Sequence, residues 1–296
     1  MKRSDFLDHI SWTGAGIVFS VSSGGILSST SLARADADDP KFSFVQISDS
    51  HIGFSRPPND HVAQTLQQTV DSINALAYQP AFVMHTGDVT HLAKPAQFDT
   101  AKSILSTLKA PLISIPGEHD VIGDQGQAYF AAFGRKDAPN GWYSWDQNGI
   151  HFVALVNVFN FERMGLLTQP QLDWLAKDLA TQTEETPIVV FGHVPLYALF
   201  PQWGWTTEDG AAALALLAPF TSVTILNGHI HQTIEHREGN LHFYTAASTA
   251  YPQPAPGTAS GPGPLVVPPD HLLGVIGYRT IELTESQAVV AQHALG

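Results

Sequence analysis

Short apolar runs alternate with stretches of helical periodicity along most of the chain. Residues 42–48 are β-branched and aromatic with brief polar interruptions, which predicts a first strand closed by Asp49-Ser50-His51. Residues 61–78 then place Val62, Leu66, Val70, Ile73 and Leu76 or Ala77 on one face at helical spacing, and Pro80 ends that helix. Residues 81–86 form the next strand, Pro95 opens a helix to about Leu108, and 111–116 make a third strand. Further along, the pattern predicts a helix over 125–133, a Gly-Trp-Tyr turn at 141–143 and a strand over 151–157. A helix over 168–180 follows, with Thr168 as its cap and Pro170 in its first turn. Then come a strand over 187–191, a helix over 208–218 and a strand from Val223.

This alternation predicts a largely parallel sheet with helices outside. Residues 241–248, 274–283 and 286–293 read as strands of a second, more antiparallel sheet, the two sheets lying back to back. The Pro/Gly-rich segment 252–270 has too few periodic apolar positions for an element and reads as a loop that either covers a cleft or connects strands. No internal repeat or linker divides the chain.

Composition narrows the function. A hydrophobic fraction of 44% supports a sizeable core, and 27 Asp plus Glu against 14 Lys plus Arg give a net charge of −13. Such a surface is a poor partner for duplex nucleic acid, where cationic groups supply most non-specific binding. The absence of cysteine removes disulfides, zinc-thiolate sites and thiol nucleophiles.

Residues 1–35 read as an export signal ahead of a single domain over 36–296. Lys2-Arg3 precede Phe6-Leu7, a weakly apolar stretch surrounds Ile17 to Val21, and Ala33-Arg34-Ala35 offers a small-x-small cleavage site. The apolar stretch is diluted by Gly and Ser and is short of the ~20 residues a membrane span needs. The segment resembles a twin-arginine signal with Lys in place of the first arginine. The expectation is a periplasmic or secreted protein without a membrane anchor in its mature form.

Five strand ends carry the chemistry. The apolar runs lead directly into Asp49-Ser50-His51, Gly87-Asp88, Gly117-Glu118-His119-Asp120, Gly192-His193 and Gly228-His229-Ile230-His231. In open α/β sheets the site lies beyond the carboxyl ends of the strands, so these groups can converge. Imidazoles with carboxylates suit transition ions such as Zn, Fe or Mn, which points to a site for more than one metal ion.

In this order the motifs D-x-H, G-D, G-E-H-D, G-H and G-H-x-H resemble the calcineurin-like metallophosphoesterase superfamily, and the spacing together with Gly277 to Leu283 is similar to its cyclic-nucleotide phosphodiesterase branch. The resemblance implies a four-layer α/β/β/α sandwich with two mixed sheets. It also implies two divalent or trivalent ions (Mn, Fe or Zn): Asp49, His51 and His231 on the first, His193, His229 and residue 118 on the second, and Asp88 bridging. A hydroxide between ions ~3.5 to 4 Å apart would attack a small phosphorylated substrate. His119 would be general acid or transition-state donor, held by Asp120, since imidazole titrates at ~6.5.

Position 118 departs from the family, which usually has Asn there. Glu118 can ligate, but as an anion it only accepts hydrogen bonds and repels a dianionic monoester more than a monoanionic diester. The expected activity is therefore metal-dependent phosphodiester hydrolysis. The alternatives are a broad phosphomonoesterase and a protein of this fold that binds metal and a phosphoryl ligand without turnover. His91 reads as a loop histidine free of metal, and His85 as a hydrogen-bonded core residue. Among Tyr197, Phe200, Trp203 and Trp205, simple loop packing competes with stacking on a substrate ring. Arg56 is the one cation near the site by sequence, and a solvated role competes with substrate contact.

Overall fold

The computed structural model describes residues 17–21, 27–31, 42–160, 164–283 and 288–296. Lys2-Arg3 and the Ala33-Arg34-Ala35 site of the expected export segment lie outside them. Within that segment the backbone forms an antiparallel pair, β1 (Ile17–Val21) with β2 (Leu27–Ser31).

Two mixed sheets follow. β3 (Ser43–Ile47), β4 (Val83–His85) and β5 (Leu112–Ser114) pair in parallel, connected through α1 (Val62–Asn74) and α2 (Pro95–Leu105). The second sheet contains β6 (Tyr143–Gln147), β7 (Ile150–Ala154), β8 (Ile188–Gly192), β9 (Val223–Asn227), β10 (Glu235–Glu238) and β11 (Leu241–Thr245), in the order β10-β11-β9-β8-β7-β6. Its four central strands are parallel and both edges antiparallel. The chain then returns to the first sheet, where β12 (Gly277–Leu283) runs antiparallel to β3 and β13 (Ala288–Ala294) forms the edge. The remaining helices are α3 (Gln127–Phe133), α4 (Gln169–Leu179) and α5 (Gly210–Leu217).

Burial on both faces explains why these strands are nearly continuous apolar runs. Side chains alternate across a strand, so Val45 and Ile47 of β3 face α1 and α2, while Phe44 points between the sheets. In β9, Val223 and Ile225 join the α4–α5 cluster and Leu226 joins the inter-sheet cluster. The interface between sheets is aromatic. Phe44 stacks on Phe82 at 4.8 Å and meets Phe152 and Phe191 edge-on at 5.9 and 5.8 Å, and Trp145 stacks on Phe152 at 4.9 Å. Helix, sheet, sheet, helix is thus the observed layering.

Three details differ from the sequence expectation. β11 joins β9 in parallel, Leu241 opposite Val223, rather than entering an antiparallel second sheet. Leu241 and Phe243 bury against the α4–α5 cluster and Tyr244 between the sheets, and alternation alone cannot say which sheet a two-faced strand joins. β6 and β10 are strands where no strand was expected, because partly exposed edges tolerate Asp, Gln, Glu and Arg that dilute the apolar pattern. Thr168 does not cap α4 through its side chain: its φ is 72°, and the Asp209 carboxylate accepts the N–H groups of Leu167 and Thr168, both at 2.8 Å.

Candidate metal centre

The carboxyl ends of β3, β4, β8 and β9 meet at one edge of the sandwich, together with a 3-10 turn, Glu118–Asp120, that follows β5. Backbone hydrogen bonds carry the ladder past the strand ends: Asp49 N–H donates to Gly87 O and His51 N–H to Asp88 O, both at 2.9 Å, and Gly228 N–H to His193 O at 3.0 Å. Beyond those bonds the chain enters left-handed backbone at Asp49 (φ 55°), His51 (43°), Asp88 (55°), His229 (69°) and His231 (51°). Such conformations cost about 1 kcal/mol or more for a residue with a Cβ and cluster where function constrains geometry. Here they turn the acidic and imidazole side chains into one volume. Gly117 has to be glycine for the same reason, since a Cβ there would sit 2.1 Å from Asp88 Oδ1.

Five overlapping groups of three donors converge among the described residues, His91 and His119 included, and two of them are the expected ligand sets. In the first, donor atoms of Asp49, His51 and His231 lie within 4.8 Å of one another; in the second, those of Glu118, His193 and His229 do. Asp88 Oδ2 stands between them, 3.6 Å from His51 Nε2 and 3.5 Å from His193 Nε2. Glu118 spans two histidines, with Oε1 2.8 Å from His229 Nδ1 and Oε2 2.8 Å from His193 Nε2. His229 also donates its backbone N–H to the Asp49 carboxylate at 3.1 and 3.2 Å.

The histidine rings are oriented from behind. His193 Nδ1–H donates to Thr86 O at 2.6 Å and His231 Nδ1–H to Tyr251 O at 2.7 Å, so Nε2 of each ring is the atom turned to the cluster. A carbonyl can only accept, so the proton is fixed on Nδ1; this is the arrangement that metal-ligating histidines use. Burial, with His119, His231 and His91 around it, holds His51 well below the usual histidine range, so it presents a neutral imidazole.

The fit of these residues to cations shows in what the protein groups alone leave unsatisfied. His193 Nε2 and Glu118 Oε2 are buried 2.8 Å apart, yet neither makes a hydrogen bond of usable geometry. His51 Nε2 and His231 Nε2 face each other at 3.1 Å. Burial alone would raise Asp49 and Glu118, but the imidazoles bring both below the ordinary carboxylate range: His231 then His193 for Asp49, His229 then His193 for Glu118. Burial lowers His193, and Asp88 and Glu118 reverse that and hold it well above its usual range. Asp49 and Glu118, both held ionised, and the convergent lone pairs around them fit metal ions.

His119 differs from the expected arrangement. Its Nδ1–H donates at 2.7 Å to the backbone carbonyl of His91, and its backbone N–H donates to Asp88 Oδ1 at 2.9 Å. Asp120 makes no hydrogen bond to the His119 ring among the described residues. Its two oxygens take the N–H groups of Val89 (3.0 Å), Thr90 (2.7 Å) and Gly117 (3.1 Å) and the Thr90 hydroxyl (2.9 Å), so it braces the turns that carry Asp88 and Glu118. Burial and the nearby Asp88 charge push Asp120 up to about 7, against the pull of those donors. Burial lowers His119, while Asp88 and Glu118 outweigh it and raise it above the ordinary value.

His85 is the core residue expected: Ser50 Oγ lies 2.7 Å from its Nε2, the Gly87 N–H donates to its Nδ1 at 3.3 Å, and burial depresses it to about 3. His91, expected to be a plain loop residue, stands inside the site, stacked on His119 at 4.9 Å and 3.4 Å from His51 through their Nδ1 atoms. Only its position three residues after Asp88 could have signalled this.

A cleft of about 350 Å³ opens over the clusters. Arg56, His91, Trp203, Trp205 and Tyr251 line it, as do Gln253 and the Pro262-Gly263-Pro264 stretch of the Pro/Gly-rich loop. That loop is therefore a wall of the cleft, pinned by Gln253, whose amide donates to His229 O at 3.0 Å and accepts from Gly263 N–H at 3.1 Å. Tyr197 packs instead on His236 and Phe243, and Phe200 on Trp203. Among the described residues, no helix is long and apolar enough to cross a membrane.

Comparison with known proteins gives the same reading. The chain is 28% identical over 171 residues to a glycerophosphodiester phosphodiesterase of Enterobacter lignolyticus, covering 55% of this chain and 60% of that one. It is 25% identical over 246 residues to a cAMP/cGMP dual specificity phosphodiesterase of Mycobacterium tuberculosis, covering 78% and 74%. In three dimensions a dimetal phosphatase from Danio rerio matches with a TM-score of 0.65 at 15% identity, over 87% of this chain and 98% of that one, which shows the shared fold. Residues 42–233, the span that holds every candidate ligand, match the calcineurin-like phosphoesterase family, and the chain belongs to that family of metal-dependent phosphoester hydrolases.

Proposed function

We propose that this enzyme hydrolyses a small phosphodiester with a pair of metal ions. Asp49, His51 and His231 would hold the first, His193, His229 and Glu118 the second, and Asp88 would touch both. The observation that carries the reading is the position of Asp88 Oδ2, 3.6 and 3.5 Å from the Nε2 atoms of His51 and His193 in opposite clusters. Two such cations, when bound, neutralise a phosphoryl group and lower the pKa of water, so no protein nucleophile is needed.

The remaining work falls to side chains. His119, anchored through Nδ1 on His91 O, keeps Nε2 for the cleft and in its doubly protonated form gives a proton to the leaving oxygen. Trp203 offers a ring to the ester substituents, backed by the buried Trp205, and Arg56 supplies a positive charge at the mouth. Preference for diesters rests on Glu118. With Asp49 and Asp88 it brings three negative charges to two divalent ions, leaving one net positive charge that a monoanionic diester matches and a dianionic monoester exceeds. The similarity to glycerophosphodiester and cyclic-nucleotide phosphodiesterases supports the same substrate class. Removal of residues 1–35 and export past the inner membrane belong to this proposal, on the strength of Lys2-Arg3 and the Ala33-Arg34-Ala35 site.

The test combines metal analysis with turnover. Protein loaded with Mn, Fe or Zn should contain two ions per chain and cleave bis(p-nitrophenyl) phosphate faster than p-nitrophenyl phosphate. His119→Ala should keep the metal and lose turnover. A fully loaded protein that turns over neither ester would be a binder, and the reading would be wrong.

A further inference from the structure

Trp203 and Pro262 line two cavities at once. One is the cleft over the clusters; the other is a neighbouring groove of about 370 Å³, lined besides by Met164, Pro201, Gln202 and Gly204. None of these described residues lining the groove carries an ionisable side chain, whereas Arg56, Asp88 and Glu118 line the cleft.

Both shared side chains are held in place. Phe200 and Trp205 exchange backbone hydrogen bonds, both at 3.2 Å, which closes a tight loop around Trp203. The Trp203 ring is half-buried and meets Phe200 and the fully buried Trp205 edge-on, at 5.1 and 5.0 Å, an arrangement that aromatic quadrupoles favour. Pro262 is exposed, but the chain just after it is tied down: Gly263 N–H donates to Gln253 Oε1 at 3.1 Å and Leu265 N–H to Pro252 O at 2.8 Å. The Gln253 NH2 donates to His229 O at 3.0 Å, so the wall that carries Pro262 is fixed to a residue of the second cluster.

We propose that the groove is the subsite for the ester substituent that hydrolysis leaves on phosphorus, and that it takes an uncharged, apolar group, aromatic or alkyl. This rests on the proposed diester hydrolysis and names the kind of diester. The reaction forms one P–O bond to the oxygen of water and breaks one of the two ester bonds; the expelled oxygen takes a proton, and the other substituent stays on phosphorus. The expelled oxygen belongs beside His119, whose ring lies 4.8 Å from that of His51 in the first cluster. The wall tied to His229 leads the retained substituent past Pro262 and Trp203, the residues common to both cavities, into the groove. A charged substituent would lose hydration there without finding a partner, while an apolar one is stabilised by leaving water.

Methylphosphonate and phenethylphosphonate are inert analogues of the product and differ in the group that would enter the groove. Titrated calorimetrically into zinc-loaded protein, phenethylphosphonate should bind about tenfold more tightly than methylphosphonate, as expected for a modest apolar difference in a pocket. Trp203→Ala removes the ring common to both cavities, and Met164→Glu puts a carboxylate in the groove alone; each should shrink that ratio to about one. Met164→Glu leaves the Phe200 to Trp205 loop as it is, so it decides the matter should Trp203→Ala disturb its own surroundings. The kcat/KM of phenethyl p-nitrophenyl phosphate over that of methyl p-nitrophenyl phosphate should follow the same pattern. Equal affinity of wild type for the two phosphonates, or a ratio that Met164→Glu does not reduce, overturns the proposal. Because phosphonate binding needs no turnover, the expected affinity ratios in protein that cleaves neither diester would support the subsite and count against the proposed function alone.

Discussion

Asp120 Oδ1 accepts two hydrogen bonds from Thr90, one from the backbone N–H at 2.7 Å and one from the hydroxyl at 2.9 Å. Its other oxygen holds the N–H groups of Val89 and Gly117, so one buried carboxylate ties the turn after β4 to the turn after β5. Those turns carry Asp88 and Glu118, one residue from each cluster's reach. Asp120→Asn replaces one acceptor oxygen by an NH2 that faces N–H groups, which should cost about 2 to 3 kcal/mol through unsatisfied buried donors. Metal affinity should fall 10- to 100-fold, on the order seen when groups that orient ligands are lost. Thermal unfolding and metal titration of the variant check this; unchanged metal affinity would mean that Asp120 supports the fold alone.

Glu118→Asn tests the charge argument for diesters. Removing one negative charge leaves the two-ion site with a larger positive charge, which favours a dianionic monoester. The ratio of kcat/KM for bis(p-nitrophenyl) phosphate over p-nitrophenyl phosphate should drop by roughly tenfold, about 1.4 kcal/mol of differential binding. Equal ratios in the two proteins would remove Glu118 as a source of specificity.

Much of this site is legible in the sequence because a strand buried on both faces is an uninterrupted apolar run, and the residues just past it are the ones a parallel sheet brings together. Asp49, His51, Asp88, Glu118, His193, His229 and His231 were all visible in that way, and they do converge. What orients them was not visible. The partners of His119, His193 and His231 are backbone carbonyls of His91, Thr86 and Tyr251, and a carbonyl leaves no mark in the amino-acid alphabet. Asp120 was expected against His119 because they are adjacent, but the tight 3-10 turn sends their side chains to different neighbours. The placement of β11 beside β9, and of Pro262 to Pro264 as a cleft wall, depends on tertiary packing that periodicity does not encode.

Metal loading should stabilise the folded chain, since the donor atoms of Asp49, His51 and His231 and those of Glu118, His193 and His229 converge only when the chain is folded. An ion present at a hundredfold excess over its Kd adds about 2.7 kcal/mol per site if it binds only the folded state. The unfolding temperature of chelator-treated protein should therefore rise on adding Mn or Zn, and the rise should be lost in Asp49→Ala. No shift with any of Mn, Fe or Zn would argue that the clusters hold no ion.

A last prediction lies away from the site, at His151 on β7. Its Nδ1 is 2.7 Å from Asp146 Oδ1 and its Nε2 2.9 Å from Asp178 Oδ2, so both ring nitrogens face carboxylates and both must donate. Burial lowers His151, but Asp178 and Asp146 outweigh it and raise the histidine above its ordinary value. A folded-state value above the unfolded one means that the stabilising contribution is complete below the unfolded value of ~6.5 and disappears as pH rises through the folded value. Asp146 is 69% exposed and screened by solvent, so Asp178, at 15%, supplies most of the effect. The unfolding temperature of wild type should exceed that of His151→Gln most at about pH 5 to 6, with the gap narrowing at alkaline pH. A gap that stays constant from about pH 5 to 9 would show that the ring is neutral in the folded chain and that its contacts with the two carboxylates are not ion pairs.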